Sequence, residues 1–375
     1  MRLKIVPIRE LASQNGLIAS EIFPPQRSAR ESTVEFTNID EVDFPRRDVV
    51  KKNYAGVAVD YASTIHAVLD NAYILDDGVI IYGGAIVAET LPASVQRNLN
   101  KYNHLTPAGD GEWDVDLSGA VQCDDLPKYS IARYGVEYYG HWLTEVLPRL
   151  RELRYSASIL GSDVLLPKSV NPGVPNGMWP TMKASAAAVG VDLSDATVIP
   201  AGGMRVKSLH YISPMGHWGS IRREATRTFN EILERAPKPS GPRRLYVTRN
   251  DTGNRRLENE DQIFSLLQQH GFEMFRPSDH SFMDQVSAFA SADAIAGPLG
   301  SALTNTVFAP DSAKILPLIP ELWDDLFFFD LACLKGQPWF ELRGPVTTQT
   351  HPLYQRNDFR VDPVAMGELL DRVFG

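Results

Sequence analysis

The strongest constraint on how this chain folds is the alternation of strand and helix signals between Arg244 and Leu318. Arg244-Leu245-Tyr246-Val247-Thr248 is a short β-branched and aromatic run, and it ends in the polar loop Arg249-Asn250-Asp251-Thr252-Gly253-Asn254-Arg255-Arg256. Asn259 then reads as a helix N-cap, with Gln262 three residues on as in a capping box. Ile263, Phe264, Leu266, Leu267 and His270 follow at helical spacing, and Gly271 stops the helix. Phe272 to Phe275 is the next strand, and Ser281 caps a helix carrying Phe282, Val286, Phe289 and Ala290. A short strand, Asp293 to Ala296, leads through Gly297-Pro298-Leu299-Gly300 into a helix from Ser301 to Phe308, and Lys314 to Leu318 is a last strand. Strands separated by helices pair in parallel, with the helices on the sheet faces.

Ligands of such sheets bind beyond the carboxyl ends of the strands. The arginine loop and the glycine loop both lie at strand carboxyl ends. Gly297 and Gly300 allow close approach to the main chain, and the helix start after them leaves amides for an anion. A purely steric use of two glycines in a strand-to-helix loop is the competing explanation.

At 375 residues and 43% apolar composition the chain fits two globular domains. A net charge of −9 argues against a broad nucleic-acid surface, although Arg243, Arg244, Arg249, Arg255 and Arg256 form a local basic patch. Two distant cysteines, Cys123 and Cys333, indicate a reducing compartment rather than a disulfide framework, and no C-x-x-C zinc motif occurs. The first ten residues are too charged for a signal peptide, and no run of about 18 apolar residues suggests a spanning helix. A cytoplasmic protein, with room for peripheral contact at the inner face of the plasma membrane, is the expectation.

Residues 13–50 read as an irregular lead with one strand at Thr33 to Thr37, and Tyr54 to Leu91 reads as β. Asp76-Asp77-Gly78 and Gly83-Gly84 are hairpin turns in that stretch. Asp114-Val115-Asp116 matches a metal–nucleotide D-x-D pattern, but three-residue matches arise often by chance. Trp142, Leu143, Val146, Leu147 and Leu150 mark an amphipathic helix that Pro148 bends or ends. His141 and Glu145 share one face of it, as suits a general base and its orienting carboxylate. In the structural alternative, His141 caps the helix and Glu145 pairs with Arg149. Further α/β follows over 163–212, with a Pro/Gly-rich loop at 171–180 that could line a cleft and His217-Trp218-Gly219 leading into another helix. Residues 236–242 have linker composition. The aromatic segment 321–329 reads as a helix against the core, with Trp323 stacking on a sugar or base as the alternative.

Several of these blocks resemble glycosyltransferase family 61, whose bacterial members are often called capsular polysaccharide biosynthesis proteins. They are Tyr139 to Leu150, Tyr246-Val247-Thr248-Arg249, Arg255 to Glu260, Gly271-Phe272-Glu273, and Gly297 to Asn305 with Phe308. The resemblance runs from about Tyr73 to Pro320. Leu299 departs from it, since the family usually has histidine after the Gly-Pro.

The resemblance implies two Rossmann-like α/β domains facing a cleft, a GT-B-like arrangement, here with a β-rich N-terminal segment. The expected division is 1–218 as the acceptor side, 219–345 as the nucleotide-sugar domain, and 346–375 as a tail packing back across the junction. The expected reaction moves a sugar, hexosyl or pentosyl, from a nucleotide-sugar donor to a saccharide or glycan acceptor in surface polysaccharide synthesis, with inversion and without a metal. His141 and Glu145 are the expected catalytic pair. Arg249, with Arg255 or Arg256, is expected to hold the donor diphosphate, and Asn259, Glu260, Gly297, Gly300, Ser301 and Asn305 complete the donor site. A non-catalytic sugar-nucleotide or glycan binder and a scaffold subunit of a polysaccharide assembly complex are the competing functions.

Overall fold

The computed structural model describes residues 1–38, 54, 56–91, 104–123, 127–133, 135–157, 163–170, 172–173, 177–217, 220–353 and 356–375. Parts of the 171–180 loop, and Trp218-Gly219, therefore lie outside the described residues. The chain forms two compact units: Met1–Gln26 with Ala62–Met215, and Arg27–Tyr61 with Gly216–Gly375. A single cut after residue 218 comes close to one crossing point but leaves 27–61 on the wrong side.

The first unit is built on one mixed sheet. Its strands run, side by side, Thr197–Val198, Val164–Leu166, Lys128–Ser130, Met204–Ile212, Thr64–Ile74, Ile80–Tyr82, Ala85–Val87, Arg2–Val6, Glu112–Val115 and Leu105–Gly109. The two predicted turns are hairpins, pairing Ile74 with Ile80 and Tyr82 with Ala85. Gly83 and Gly84 both have positive φ, 57° and 76°, as a tight two-residue hairpin turn requires. Loops this short reverse the chain, so these neighbours are antiparallel, and a Rossmann-like first domain is not what forms. One end of the sheet alternates strand and helix with parallel pairing. There Lys128–Ser130, the helix over 139–157 and Val164–Leu166 make a βαβ unit, and Trp179–Ala188 and Thr197–Val198 continue it.

The helix over 139–157 opens with an α-turn, passes through a π-helical stretch at Trp142–Val146 and continues as Leu147–Ala157. Pro148 lacks an N–H and its ring crowds the carbonyl one turn back, so a widened turn before it lets the helix run on. The predicted stripe of Trp142, Leu143, Val146, Leu147 and Leu150 is fully buried. The Trp142 indole N–H also donates to Ser185 Oγ at 2.8 Å.

The second unit holds the strand–helix alternation that begins at Arg244. Its six strands lie in the order Glu273–Phe275, Arg244–Val247, Ala294–Pro298, Lys314–Pro320, Trp339–Gly344 and Val34–Phe36, all parallel. Tyr246, Ala294, Ala296, Leu316 and Leu318 pack under Ile263 and Leu267 of helix Glu260–Gln269 and Met366, Leu369 and Leu370 of helix Pro363–Phe374. Leu245, Val247, Ile295 and Ile315, which alternate with them, are also buried, so both sheet faces are covered. The C-terminal helix thus belongs to the core of this unit rather than to a tail across a junction.

The edge strand Val34–Phe36 comes from the early part of the chain. Next to it, Glu341 and Arg343 are each 1% exposed and form an ion pair at 2.7 Å, while Tyr54 donates to Glu341 at 2.7 Å. The Asn38 side chain bridges both backbone polar groups of Arg343. These bonds fasten the 27–61 segment to the sheet.

Candidate active site

In the first unit, His141 stands in the first turn of the 139–157 helix, just beyond the carboxyl end of Lys128–Ser130. Its Nδ1 lies 2.6 Å from Glu145 Oε1. The other carboxylate oxygen, Oε2, takes the guanidinium of Arg133. The predicted pair therefore forms, but as the end of a chain Arg133–Glu145–His141. Arg149, the alternative partner for Glu145, is turned away: its Nε donates to Ile212 O at 2.8 Å and its guanidinium lies over the Tyr211 ring. Glu145 is an acceptor, so Nδ1 carries the imidazole proton and Nε2 is the basic nitrogen.

Burial, then the Arg133 charge, push the His141 imidazole down to about 4, so it is neutral near pH 7. The positive end of the helix acts in the same direction. The side chain nevertheless keeps 37% of its surface exposed, so the ring is reachable. Gly135 has φ +82°, and a Cβ on it would lie 3.3 Å from the ring's Cδ2. The 131–138 loop thus approaches the imidazole with backbone at Gly135 and reaches Glu145 with Arg133.

In the second unit, the strand order places 244–247 between 273–275 and 294–298. The chain leaves 244–247 toward 273–275 on one side and leaves 294–298 toward 314–320 on the other, and a crevice opens at such a switch point. The loops that follow these two central strands are the arginine loop and the glycine loop. Gly297 has φ +155°, and a Cβ there would come within 2.4 Å of Val247 O. Gly300 is extended, so only space demands glycine: a Cβ would overlap the Arg249 guanidinium. The arginine side chain lies directly against the main chain of the glycine loop.

Arg249 is 8% exposed, and one of its terminal nitrogens donates to Asn254 O at 3.1 Å. Its Nε, and that of Arg255, are buried without a hydrogen-bond acceptor among the described residues. Arg255 has φ +54° and lies 4.7 Å over the Trp323 ring. Burial, followed by repulsion from Arg249 and Arg356, pushes Arg255 down to about 9. Burial likewise lowers Arg249. Two adjacent guanidiniums, one buried and one half-buried, each with an unused Nε donor, and the charge of Arg356 nearby are the chemistry that suits a multiply charged anion.

The remaining expected donor-site residues divide. Arg256 is exposed and engages Asp358 through Nε and a terminal nitrogen, at 3.0 and 2.7 Å, so Arg255, not Arg256, joins the cluster. Asn259 makes no capping bond; its side chain pairs with the backbone of Val361 instead. Glu260 is buried and accepts from Tyr246 and Thr248 hydroxyls, each at 2.8 Å, which ties the strand end to the helix. Ser301 is exposed at the start of the 3-10 helix Ser301–Phe308, whose first amides have no intrahelical acceptor. Asn305 is fully buried and donates to Gln285, so it braces this helix rather than presenting its amide. Leu299 is 2% exposed and points into the fold.

Asp114 pairs with Arg2 at 3.6 Å, and Asp116 caps its own turn at Ser118. Among the described residues no group of three or more His, Cys, Asp or Glu side chains is arranged to hold a metal ion. No helix among them is long and apolar enough to cross a membrane. Sequence reasoning missed Arg133 and Arg356; of the 321–329 segment, expected as a helix against the core, the helix begins at Phe327, and the Trp323 ring before it lies under Arg255. A polar side chain one loop beyond a strand end was the only signal for Arg133.

Residues 139–316 match the family model described as Glycosyltransferase 61. No curated protein matches the chain. The matched span takes in His141, Glu145, the arginine loop and the glycine loop.

Proposed function

Over residues 139–316 the chain belongs to glycosyltransferase family 61, and from that premise we propose that it moves a sugar from a nucleotide-sugar to a saccharide or glycan hydroxyl, with inversion. The acceptor oxygen attacks the anomeric carbon as the bond from that carbon to the diphosphate breaks. The electron pair leaves with the nucleoside diphosphate, and the hydroxyl proton passes to His141 Nε2. Glu145 holds the imidazole through Nδ1 and balances the charge that the ring gains. Arg249 and Arg255 stabilise the charge that grows on the leaving diphosphate. Guanidiniums can do this without a divalent cation, so transfer is metal-independent on this reading. Growth of a surface polysaccharide, close to the inner face of the membrane, is the setting the family resemblance suggests.

The observation that carries this reading is the pair of mutually repelling arginines at the switch point, Arg249 buried and Arg255 half-buried, with buried Nε donors that nothing among the described residues accepts. Calorimetric titration with nucleoside diphosphates and their sugars tests it. Binding that Arg249→Ala abolishes or weakens at least tenfold supports the assignment. Equal binding by both proteins overturns it. Incubating a bound donor with and without saccharide acceptors then separates a transferase from a protein that only binds.

A further inference from the structure

We propose that Arg133 is a positioning residue of the acceptor base: it holds Glu145 as an ion-paired carboxylate, and so keeps His141 oriented and neutral. The inference rests on the reading of His141 as the base. Three side chains meet in series. The Arg133 guanidinium grips Glu145 Oε2, and Glu145 Oε1 accepts from His141 Nδ1 at 2.6 Å. The Arg133 and Glu145 side chains are 16% and 10% exposed, so water screens their interaction little.

The chemistry of the dyad shows what Arg133 adds. A carboxylate hydrogen-bonded to an imidazole stabilises the imidazolium, which cannot accept a proton from a hydroxyl. A guanidinium on the far oxygen offsets that pull and leaves the hydrogen bond to orient the ring. The Tyr138 ring, edge-on with its centroid 6.2 Å from that of the imidazole, and the Gly135 backbone also face it. The Tyr211 phenol lies beyond, within the influence of Arg133, Arg149 and Glu89. Arg133 is thus the cation that acts on both His141 and Tyr211. Its backbone is also fixed, because Ala132 and Arg133 pack on Gly78 so closely that a Cβ there would fall 2.6 Å from Ala132 C. A hairpin turn therefore sets where the arginine begins.

The test reads the imidazole itself. The full chain is labelled with ¹³C-histidine, and the His141 signal is identified by its loss in His141→Gln. The ring is then titrated by NMR in the wild type, Arg133→Gln and Arg133→Lys. Arg133→Gln should raise the midpoint by about 1 pH unit, the low end of the range for an adjacent charge, because burial is the larger cause of the depression. Arg133→Lys, which keeps the charge, should stay near the wild type and serves if the glutamine variant does not fold. A wild-type midpoint in folded Arg133→Gln, or a lysine variant that titrates like an uncharged one, would overturn the proposal. The acid limb of kcat, measured in parallel, should follow the NMR midpoint while KM for the donor holds. If the NMR midpoint moves and the kcat limb does not, Arg133 still positions His141, and the assignment of His141 as base is what fails.

Discussion

At the scale of single residues, charge state decides what each group can do. His141 is neutral because burial and a nearby cation oppose its protonation, so turnover should hold from pH 8 downward and fall only near the value of about 4. The sign for stability is the same. An imidazole depressed in the folded state from 6.5 leaves the unfolded chain binding more protons between 6.5 and 4. Stability therefore falls as pH drops through that window, and His141→Gln should flatten this part of the pH dependence of the urea midpoint. His141→Ala should lower kcat by about 10²–10⁴, the usual contribution of a positioned base, and leave nucleotide affinity unchanged. Arg249→Ala should cost about 1.5–3 kcal/mol of nucleoside diphosphate binding, the range for charged hydrogen bonds, measured by calorimetry. EDTA should leave transfer unaltered, and loss of activity restored by Mn²⁺ would count against the arginine reading.

Elements place these residues through their ends. The 244–247 and 294–298 strands deliver two loops to one crevice because the sheet order changes direction between them. Gly297 lets those strands close up, since its Cβ would strike Val247 O from a backbone angle that other residues rarely adopt. Gly297→Ala should therefore destabilise the fold by roughly 1–3 kcal/mol, the cost of a strained backbone position, and weaken nucleotide binding with it. Thermal melting and calorimetry on the same sample check both effects. Gly300→Ala should behave differently. Its backbone is unstrained, so stability should change less, while the displaced Arg249 guanidinium should lower nucleotide affinity. The helix that carries His141 is held by a fully buried apolar stripe and the Trp142–Ser185 bond, which fixes the imidazole from below.

On the scale of the molecule, the chain does not divide at one point. Residues 27–61 add an edge strand and the Tyr54 hydroxyl to a sheet whose other strands begin beyond residue 240. A chain cut to residues 216–375 would leave the backbone edge of 339–344 unpaired and deprive the buried Glu341–Arg343 pair of Tyr54 and Asn38. It should not fold as a cooperative unit, by circular dichroism and urea titration, whereas the full chain should. In the full chain, Tyr54→Phe should cost about 1–3 kcal/mol, because Glu341 loses a donor inside the core.

The sequence by itself determined what depends on neighbours along the chain. The βα alternation after residue 244, the hairpins at 76–78 and 83–84, the apolar stripe from Trp142 to Leu150 and the i, i+4 meeting of His141 and Glu145 all follow from local periodicity and turn chemistry. Family 61 was also readable, because its blocks are short and contiguous. What only the tertiary structure decided depends on partners far away in sequence. Asn259 has the right type and spacing for a cap, yet Val361, 102 residues on, offers its backbone a pair and wins. Arg255 and Arg256 are equivalent neighbours in the sequence; Asp358 takes one, and the Trp323 ring takes the other beside Arg249. Strand direction in the first unit, the early strand in the second sheet and the hold of Arg133 on Glu145 belong to the same class. Each is settled by which hydrogen bond or ion pair burial leaves available, and burial is a property of the whole fold rather than of a stretch of chain.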